Sequence, residues 1–368
     1  MSEHLIVCFQ QYAARILALT TGREAMNSIG KFCALVLIGL FGMSAAGNAA
    51  GPEKKKVTIA IAGTSSQIYF LAVNVAKAKN YFKEEGVDVD TVNFAGGAKS
   101  LEAVIGGSAD IDAGSYEHTF QIQAKGRDVQ CFALFNRSVG TVLAISKAKA
   151  KDFKSISDLK GMNVGVSAPG FSATNIYLNL ILIKNGLKPS DVNVIGVGNG
   201  PVAYAGIENG KIDAISSVDP VISQLEAHDL IKILVDSRTD KGLKEVYGGE
   251  YPSGCLLATG DFVKNNPNTV QALTNAIERA LKFIHASNAD QILAILPPNI
   301  VGPDRALYRV SLEKNINTVA RAEPISESAV KNVLRVVSNA DPSVAAAKID
   351  LNATYTNQFI KKALETAR

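Results

Sequence analysis

Short apolar runs alternate along this chain with stretches whose apolar positions recur at helical spacing. Val57–Ala62 is a β-rich apolar run. Gly63-Thr64-Ser65-Ser66 follows, and then a helical pattern from about Gln67 to Asn80 with Phe70, Val73 and Ala76 on one face. The order predicts strand, hydroxyl-rich turn and helix start. Val87–Phe94 reads as the next strand, Gly96-Gly97 as the next turn, and Leu101–Ile105 as part of the next helix. Strands near Asp110–Ala113 and Val129–Phe135, with a helix between them, continue the alternation. Such a pattern calls for an α/β fold whose mostly parallel sheet is covered by helices on both faces.

The pattern then repeats. Gly97–Asp110 (GAKSLEAVIGGSAD) aligns with Gly200–Asp213 (GPVAYAGIENGKID) at a constant offset of 103, superposing Gly97 on Gly200, Val104 on Ile207, Gly107 on Gly210 and Asp110 on Asp213. Each segment reads as turn, helix, Gly-x-x-Asp and strand, and each follows an apolar strand, Val87–Phe94 or Val192–Val197. Upstream of the second copy come strand Asn163–Val166, turn Ser167-Ala168-Pro169-Gly170 and a helix from about Ser172 to Lys184. Two lobes of one architecture are expected. They divide as residues 52–140 with 255–368, and residues 141–254.

Cys255–Thr259 reads as a strand, and helical patterns dominate beyond it: Pro267–Ala286, Asp290–Leu296, Asp304–Thr318 and Ile325–Ser338. Pro267 suits a first helical turn, and Pro297-Pro298 separates two helices. This tail is expected to wrap back over the first lobe.

Read from Met26, the N-terminus has the form of a secretory signal: basic Lys31, an uncharged run Phe32–Met43, then small residues Ser44–Ala50. Cleavage near Ala46 or Ala49 is expected, with residues 1–25 an upstream extension. The apolar run falls well short of the roughly 20 residues that span a bilayer. Export to the periplasm is therefore expected. Cys33 lies inside the apolar run, which argues against a lipid-modified N-terminus.

Composition narrows the function classes. Lys+Arg of 38 against Asp+Glu of 34 leaves no basic tract of the nucleic-acid type. Beyond the leader only Cys131 and Cys255 remain, too few for a disulfide framework or a cysteine metal site; whether they pair stays open. His118, His228 and His285 show no metal-ligand spacing, and neither Gly-x-Ser-x-Gly nor a phosphate-binding P-loop occurs. Val197-Gly198-Asn199-Gly200 lacks the third glycine of a dinucleotide fingerprint. No cofactor, no metal and no catalysis are expected.

In an α/β sheet, ligands bind outside the carboxyl ends of the strands. Those ends carry Thr64, Ser65, Ser66 and Gln67; Gly96 and Gly97; Ser115, Tyr116, Glu117 and His118; Ser167, Phe171, Ser172 and Thr174; Asn199; and Asp219. Hydroxyls and free N–H groups at helix starts suit an anionic group, although Ser66 and Ser172 also fit as plain N-caps. Arg137, where the chain would cross between lobes, suits an oxyanion clamp or a solvated hinge position. Glu117 and Asp219 suit a cationic amine or a helix-start carboxylate. Tyr69, Tyr116, Phe171 and Tyr204 are candidate apolar walls.

On Ile59–Gln67, the Gly96-Gly97 pair through Asp110, Ser157-Asp158-Leu159-Lys160-Gly161 leading into Asn163–Val166, Ala168–Thr174 and Gly210–Pro220, the chain resembles a known family. It is similar to the periplasmic substrate-binding proteins of nitrate/sulfonate/taurine-type ABC importers, whose wider family includes pyrimidine-binding proteins of thiamine synthesis. The resemblance implies a two-lobed, type II periplasmic-binding-protein architecture with a small-molecule solute in the interlobe cleft. It also implies permease and ATPase subunits as partners of a monomeric receptor. Members often line the cleft with tryptophan, and this chain has none. The expected guest is a small organic oxyanion. Alternatives are an aminopyrimidine or aromatic acid held by Tyr116, Glu117 and His118, or the substrate of a thiamine-pyrimidine synthase-like enzyme.

Overall fold

A computed structural model describes residues 51–170 and 172–366. The export signal expected over residues 26–49 lies outside them. Among the described residues, ten strands form two five-stranded sheets. In the first, β1 (Lys56–Ala62), β2 (Asp88–Phe94), β3 (Ile111–Ser115), β4 (Val129–Leu134) and β10 (Gly254–Thr259) lie in the order β2-β1-β3-β10-β4. In the second, β5 (Val142–Ser146), β6 (Asn163–Val166), β7 (Asn193–Gly196), β8 (Ala214–Ser217) and β9 (Ile231–Asp236) lie in the order β7-β6-β8-β5-β9.

The two orders are the same pattern, and each sheet has one strand opposed to the rest. β10 pairs antiparallel with β3 and β4, and β5 pairs antiparallel with β8 and β9, while β1, β2 and β3, like β6, β7 and β8, pair in parallel. The opposed strands are the two that follow a crossing between sheets. A chain leaving one sheet at its carboxyl end meets the other sheet at the same level, so its first strand must run back. Asn136 and Ser253–Gly254 bring the crossings side by side, with the Ser253 N–H donating to the Asn136 carbonyl at 3.0 Å and the Phe135 N–H to that of Gly254 at 2.7 Å. Cys131 and Cys255 form a disulfide between neighbouring strands β4 and β10, Cα atoms 5.9 Å apart.

The repeated Gly-x-x-Asp has one structural job in both copies. Gly107 and Gly210 adopt left-handed backbone angles (φ 76° and 63°) as the helices Gly97–Ile105 and Pro201–Glu208 end, a conformation that costs glycine little. The aspartate then accepts a hydrogen bond near the start of a central strand: Asp110 from the Thr58 N–H at 3.0 Å, Asp213 from the Asn163 N–H at 2.9 Å.

The C-terminal helices depart from expectation. Pro267–Ala286 packs on Leu71–Ala78 and on Gln358–Thr366, over the first sheet. Its first-turn N–H groups at Asn268 and Thr269, which have no acceptor within the helix, are capped by the carboxylate of Glu53, more than 200 residues away in sequence. Glu327–Ala340, however, packs on Ala173–Lys184 beside the second sheet. The tail thus covers both sheets, because Val330, Val333 and Val337 share a buried cluster with Tyr177 and Leu178.

Candidate functional site

A cavity of about 360 Å³ opens where the carboxyl ends of the two sheets face each other. The first sheet contributes Thr64, Gln67, Tyr69, Gly96, Gly97, Ser115 and His118; the second contributes Ser167, Ser172, Thr174 and Asn199. Val139, on the first crossing, and Val218 also line it. Its volume suits a small molecule, since ligand pockets run from about 300 to 1,000 Å³.

Three helices begin in the wall: Gly97–Ile105, Ala173–Lys184 and Pro201–Glu208, through Gly96-Gly97, Ser172–Thr174 and Gly200–Val202. The first N–H groups of each have no acceptor within their own helix and carry the positive end of its dipole. At the second start the hydroxyls are already organised. Ser172 Oγ accepts from the Asn175 N–H at 3.2 Å and donates to the Ala168 carbonyl, while Thr174 Oγ1 accepts from the Ser167 N–H at 2.9 Å. Ser172 is therefore an N-cap and a wall residue at once. Opposite, Gln67 is buried, and its amide nitrogen has no hydrogen-bond partner within the protein. A donor there is costly to bury unless something in the cavity accepts from it.

Behind the first-sheet wall lies a polar network. The Tyr69 hydroxyl sits 3.1 Å from Ser253 Oγ, which sits 3.2 Å from Ser115 Oγ. Burial pushes the Tyr69 hydroxyl's pKa well up, with the nearby carboxylates of Glu117 and Asp112 adding to the effect. His118 caps this network on the cavity side. Its Cε1–Nε2 edge lies against the Cα of Gly97, and its Nδ1 is 3.8 Å from Asp112.

Several residues expected in the site are engaged elsewhere. Tyr116 is core, its hydroxyl 2.7 Å from Thr354 Oγ1. Glu117 is buried and accepts from the Tyr251 hydroxyl; burial raises its pKa, with Tyr251 and His118 opposing. Asp219 is also buried, bound by Arg238 and Asn315. Arg137 turns outward to Asp240 at 2.9 Å. Ser65 donates to Asn93 Oδ1 at 2.7 Å, and Ser66 lies 3.1 Å from the Thr64 hydroxyl; neither reaches the cavity wall. Tyr204 pairs with His228 at 2.7 Å. Phe171 lies outside the described residues.

The wall also holds residues that sequence reasoning passed over. Phe94, Val139, Val197, Val202 and Val218 give it an apolar side, and Asp112 stands directly behind it. None carries a local signal separating it from core. Among the described residues no side chain of Asp, Glu, Lys or Arg lines the cavity, no group of three or more His, Cys, Asp and Glu has a metal-site arrangement, and no helix is long and apolar enough to cross a membrane.

Comparison with known proteins places this geometry. Residues 67–290 match the profile described as NMT1/THI5 like. A solved structure from Bordetella bronchiseptica RB50 shares 43% sequence identity at a TM-score of 0.82, covering 86% of this chain and 99% of that one. The alkanesulfonate-binding protein SsuA from Xanthomonas axonopodis pv. citri, bound to MOPS, shares the fold at 19% identity and a TM-score of 0.67, covering 84% of this chain and 99% of that one. Among curated proteins, the putative binding protein YtlA of Bacillus subtilis is 23% identical over 269 residues, 71% of this chain and 76% of its own length. The 4-amino-5-hydroxymethyl-2-methylpyrimidine phosphate synthase THI13 of Saccharomyces cerevisiae is 24% identical over 226 residues, 59% of this chain and 64% of its own length.

Proposed function

The chain belongs to the NMT1/THI5-like family, and from that premise we propose that it is a periplasmic solute receptor of an ABC importer, binding a small organic oxyanion between its lobes. The observation that carries the reading is the wall itself. Three helix starts and the unpaired amide of Gln67 offer donors to one cavity in which no described carboxylate lies. Net attraction is therefore toward negative charge. The apolar side, with Phe94, Val197 and Val202, suits the carbon body of an alkane- or arylsulfonate or of a carboxylate more than a bare inorganic ion. The ligand-contacting set on this reading is Thr64, Gln67, Gly96, Gly97, Ser115, His118, Ser167, Ser172, Thr174 and Asn199.

Purified protein lacking the leader should show a thermal shift with at least one member of a panel of methanesulfonate, taurine, nitrate and benzoate, because a ligand that binds only the folded state stabilises it by mass action. A shift with an aminopyrimidine alone overturns the anion reading. That second reading is favoured by one feature, His118 in the wall, but Glu117, the carboxylate it needs, is turned to Tyr251. A receptor, not a catalyst, is the role the donor set fits. The test is the absence of turnover by the same preparation with the pyrimidine.

A further inference from the structure

Asp112 stands on β3 with no measurable exposure, and neither of its carboxylate oxygens has a hydrogen-bond donor within the protein. A buried carboxylate in that condition is costly unless a cation or a proton neutralises it. The His118 imidazole lies beside it, with Nδ1 3.8 Å from Oδ2, and the ring is itself buried. The opposite edge of that ring, Cε1 and Nε2, lies against Gly97 in the cavity wall. One imidazole thus connects a buried carboxylate to the binding cavity.

The other titratable groups facing this pair are Glu117 from the same turn and Tyr69 from the segment before the Leu71–Ala78 helix, with the Tyr251 hydroxyl donating to Glu117. Burial favours the uncharged forms of Glu117 and Tyr69. Asp112 and His118 are left to set the local charge.

Resting on the reading of the cleft as an anion receptor, we propose that Asp112 and His118 act as one charge-setting pair: the organic anion seats its charged group at the Cε1–Nε2 edge of His118 beside Gly97, and a proton enters with it. An anion against one edge and a carboxylate behind the other both favour the imidazolium, so binding draws a proton from solvent onto the ring. Asp112 is the positioning residue, since it meets the ring and not the guest. Affinity should rise as pH falls through the neutral range.

Calorimetric titration with whichever of methanesulfonate, taurine, nitrate or benzoate gives a thermal shift, run at one pH in Bis-Tris and in Tris buffers, whose ionisation heats differ and which bring no competing oxyanion, reads the number of protons taken up. Uptake is expected for the unaltered protein and is abolished in His118→Gln. Asp112→Asn should lower both the uptake and the affinity, the latter by roughly tenfold or more, as loss of a charge-assisted contact implies. No proton uptake by the unaltered protein, or affinity in His118→Gln within about twofold of it, overturns the proposal. The unliganded protein gives an independent reading. The His118 ring resonances, assigned by their loss in His118→Gln, should titrate at a different pH in Asp112→Asn, and coincident titration curves overturn the pair. If no panel member binds, the anion reading fails while the ring titration still decides whether the two residues are coupled.

Discussion

A Cβ built on Gly97 would lie 2.4 Å from Cε1 of His118. No side chain other than hydrogen fits there while the ring keeps its place. Gly97→Ala should therefore push the imidazole out of the wall or displace the helix start behind it. The cost expected from overpacking is about 1–3 kcal/mol of stability. Binding of the panel anion should weaken by about tenfold or more if the ring is a contact. Denaturant unfolding and calorimetry separate the two effects.

Asp219 is the acceptor for a buried cluster: Arg238 Nη1 at 3.0 Å, the Asn315 side-chain amide, and the Ser223 N–H at 2.7 Å. Asn315 belongs to the helix Arg305–Asn315, so the cluster ties the C-terminal helices to the second sheet's segment. Removing Asp219 leaves the buried Arg238 guanidinium paired with Asp236 at 2.7 Å but takes away the acceptor that Arg238, Asn315 and the Ser223 N–H share. Asp219→Ala should cost about 1–3 kcal/mol, the scale of leaving buried donors without their acceptor while Asp236 still pairs the guanidinium. Asn315→Ala should cost about 1.5–3 kcal/mol, the scale of one buried hydrogen bond to a charged group. Urea unfolding measures both.

Burial raises the pKa of the Glu117 carboxyl, more than the Tyr251 hydroxyl and His118 lower it. The folded state then holds a proton that the unfolded chain releases. Stability from this group falls as pH rises above the ordinary carboxyl range, and the fall ends once pH passes the folded-state value. Glu117→Gln removes the loss. Its stability relative to the unaltered protein should be greater at pH 8 than at pH 4, by paired unfolding curves. A difference that stays flat with pH contradicts the assignment.

The disulfide between Cys131 and Cys255 spans 124 residues, and β5 through β9 all lie between its ends. It therefore fastens the outgoing and returning crossings to each other at the first sheet. On the chain-entropy model a loop of that length contributes about 5 kcal/mol, an upper figure since reduced chains retain structure. Unfolding in the presence of a phosphine reductant should shift the midpoint down while leaving the circular dichroism of the folded protein unchanged.

Legibility followed the range of the interactions. Gly97–Asp110 and Gly200–Asp213 were readable because turn chemistry is local: a left-handed glycine, then an aspartate reaching a strand start. Strand-end loops likewise pointed to Thr64, Gln67, Gly96, Gly97, Ser115, His118, Ser167, Ser172, Thr174 and Asn199, all of which line the cavity. Most of the expected site residues that do not line the cavity have distant partners. Tyr116 meets Thr354, Glu117 meets Tyr251, Arg137 meets Asp240, and Asp219 meets Arg238 and Asn315. No spacing rule reaches across such separations. β5 and β9 are not among the strands that the pattern predicts. Asp112 carries no sequence signal of its burial, which comes from cover on both faces of its strand.

Gln67 offers a test of the sign of the guest's charge. Gln67 lines the cavity and its buried amide nitrogen has no acceptor in the protein; on the anion reading the guest completes it. Gln67→Glu keeps the shape and replaces that donor with a carboxylate oxygen. For an anion the exchange turns a hydrogen bond into repulsion across a desolvated contact, a penalty of several kcal/mol and about 100-fold or more in affinity. For a cationic amine the same exchange adds attraction, and affinity rises. The Gly63 Cα packs against the Gln67 amide, which holds the side chain in place and keeps the substitution local. Calorimetry on Gln67→Glu with methanesulfonate and with an aminopyrimidine therefore gives opposite answers for the two readings. The anion reading expects loss with the first and no gain with the second.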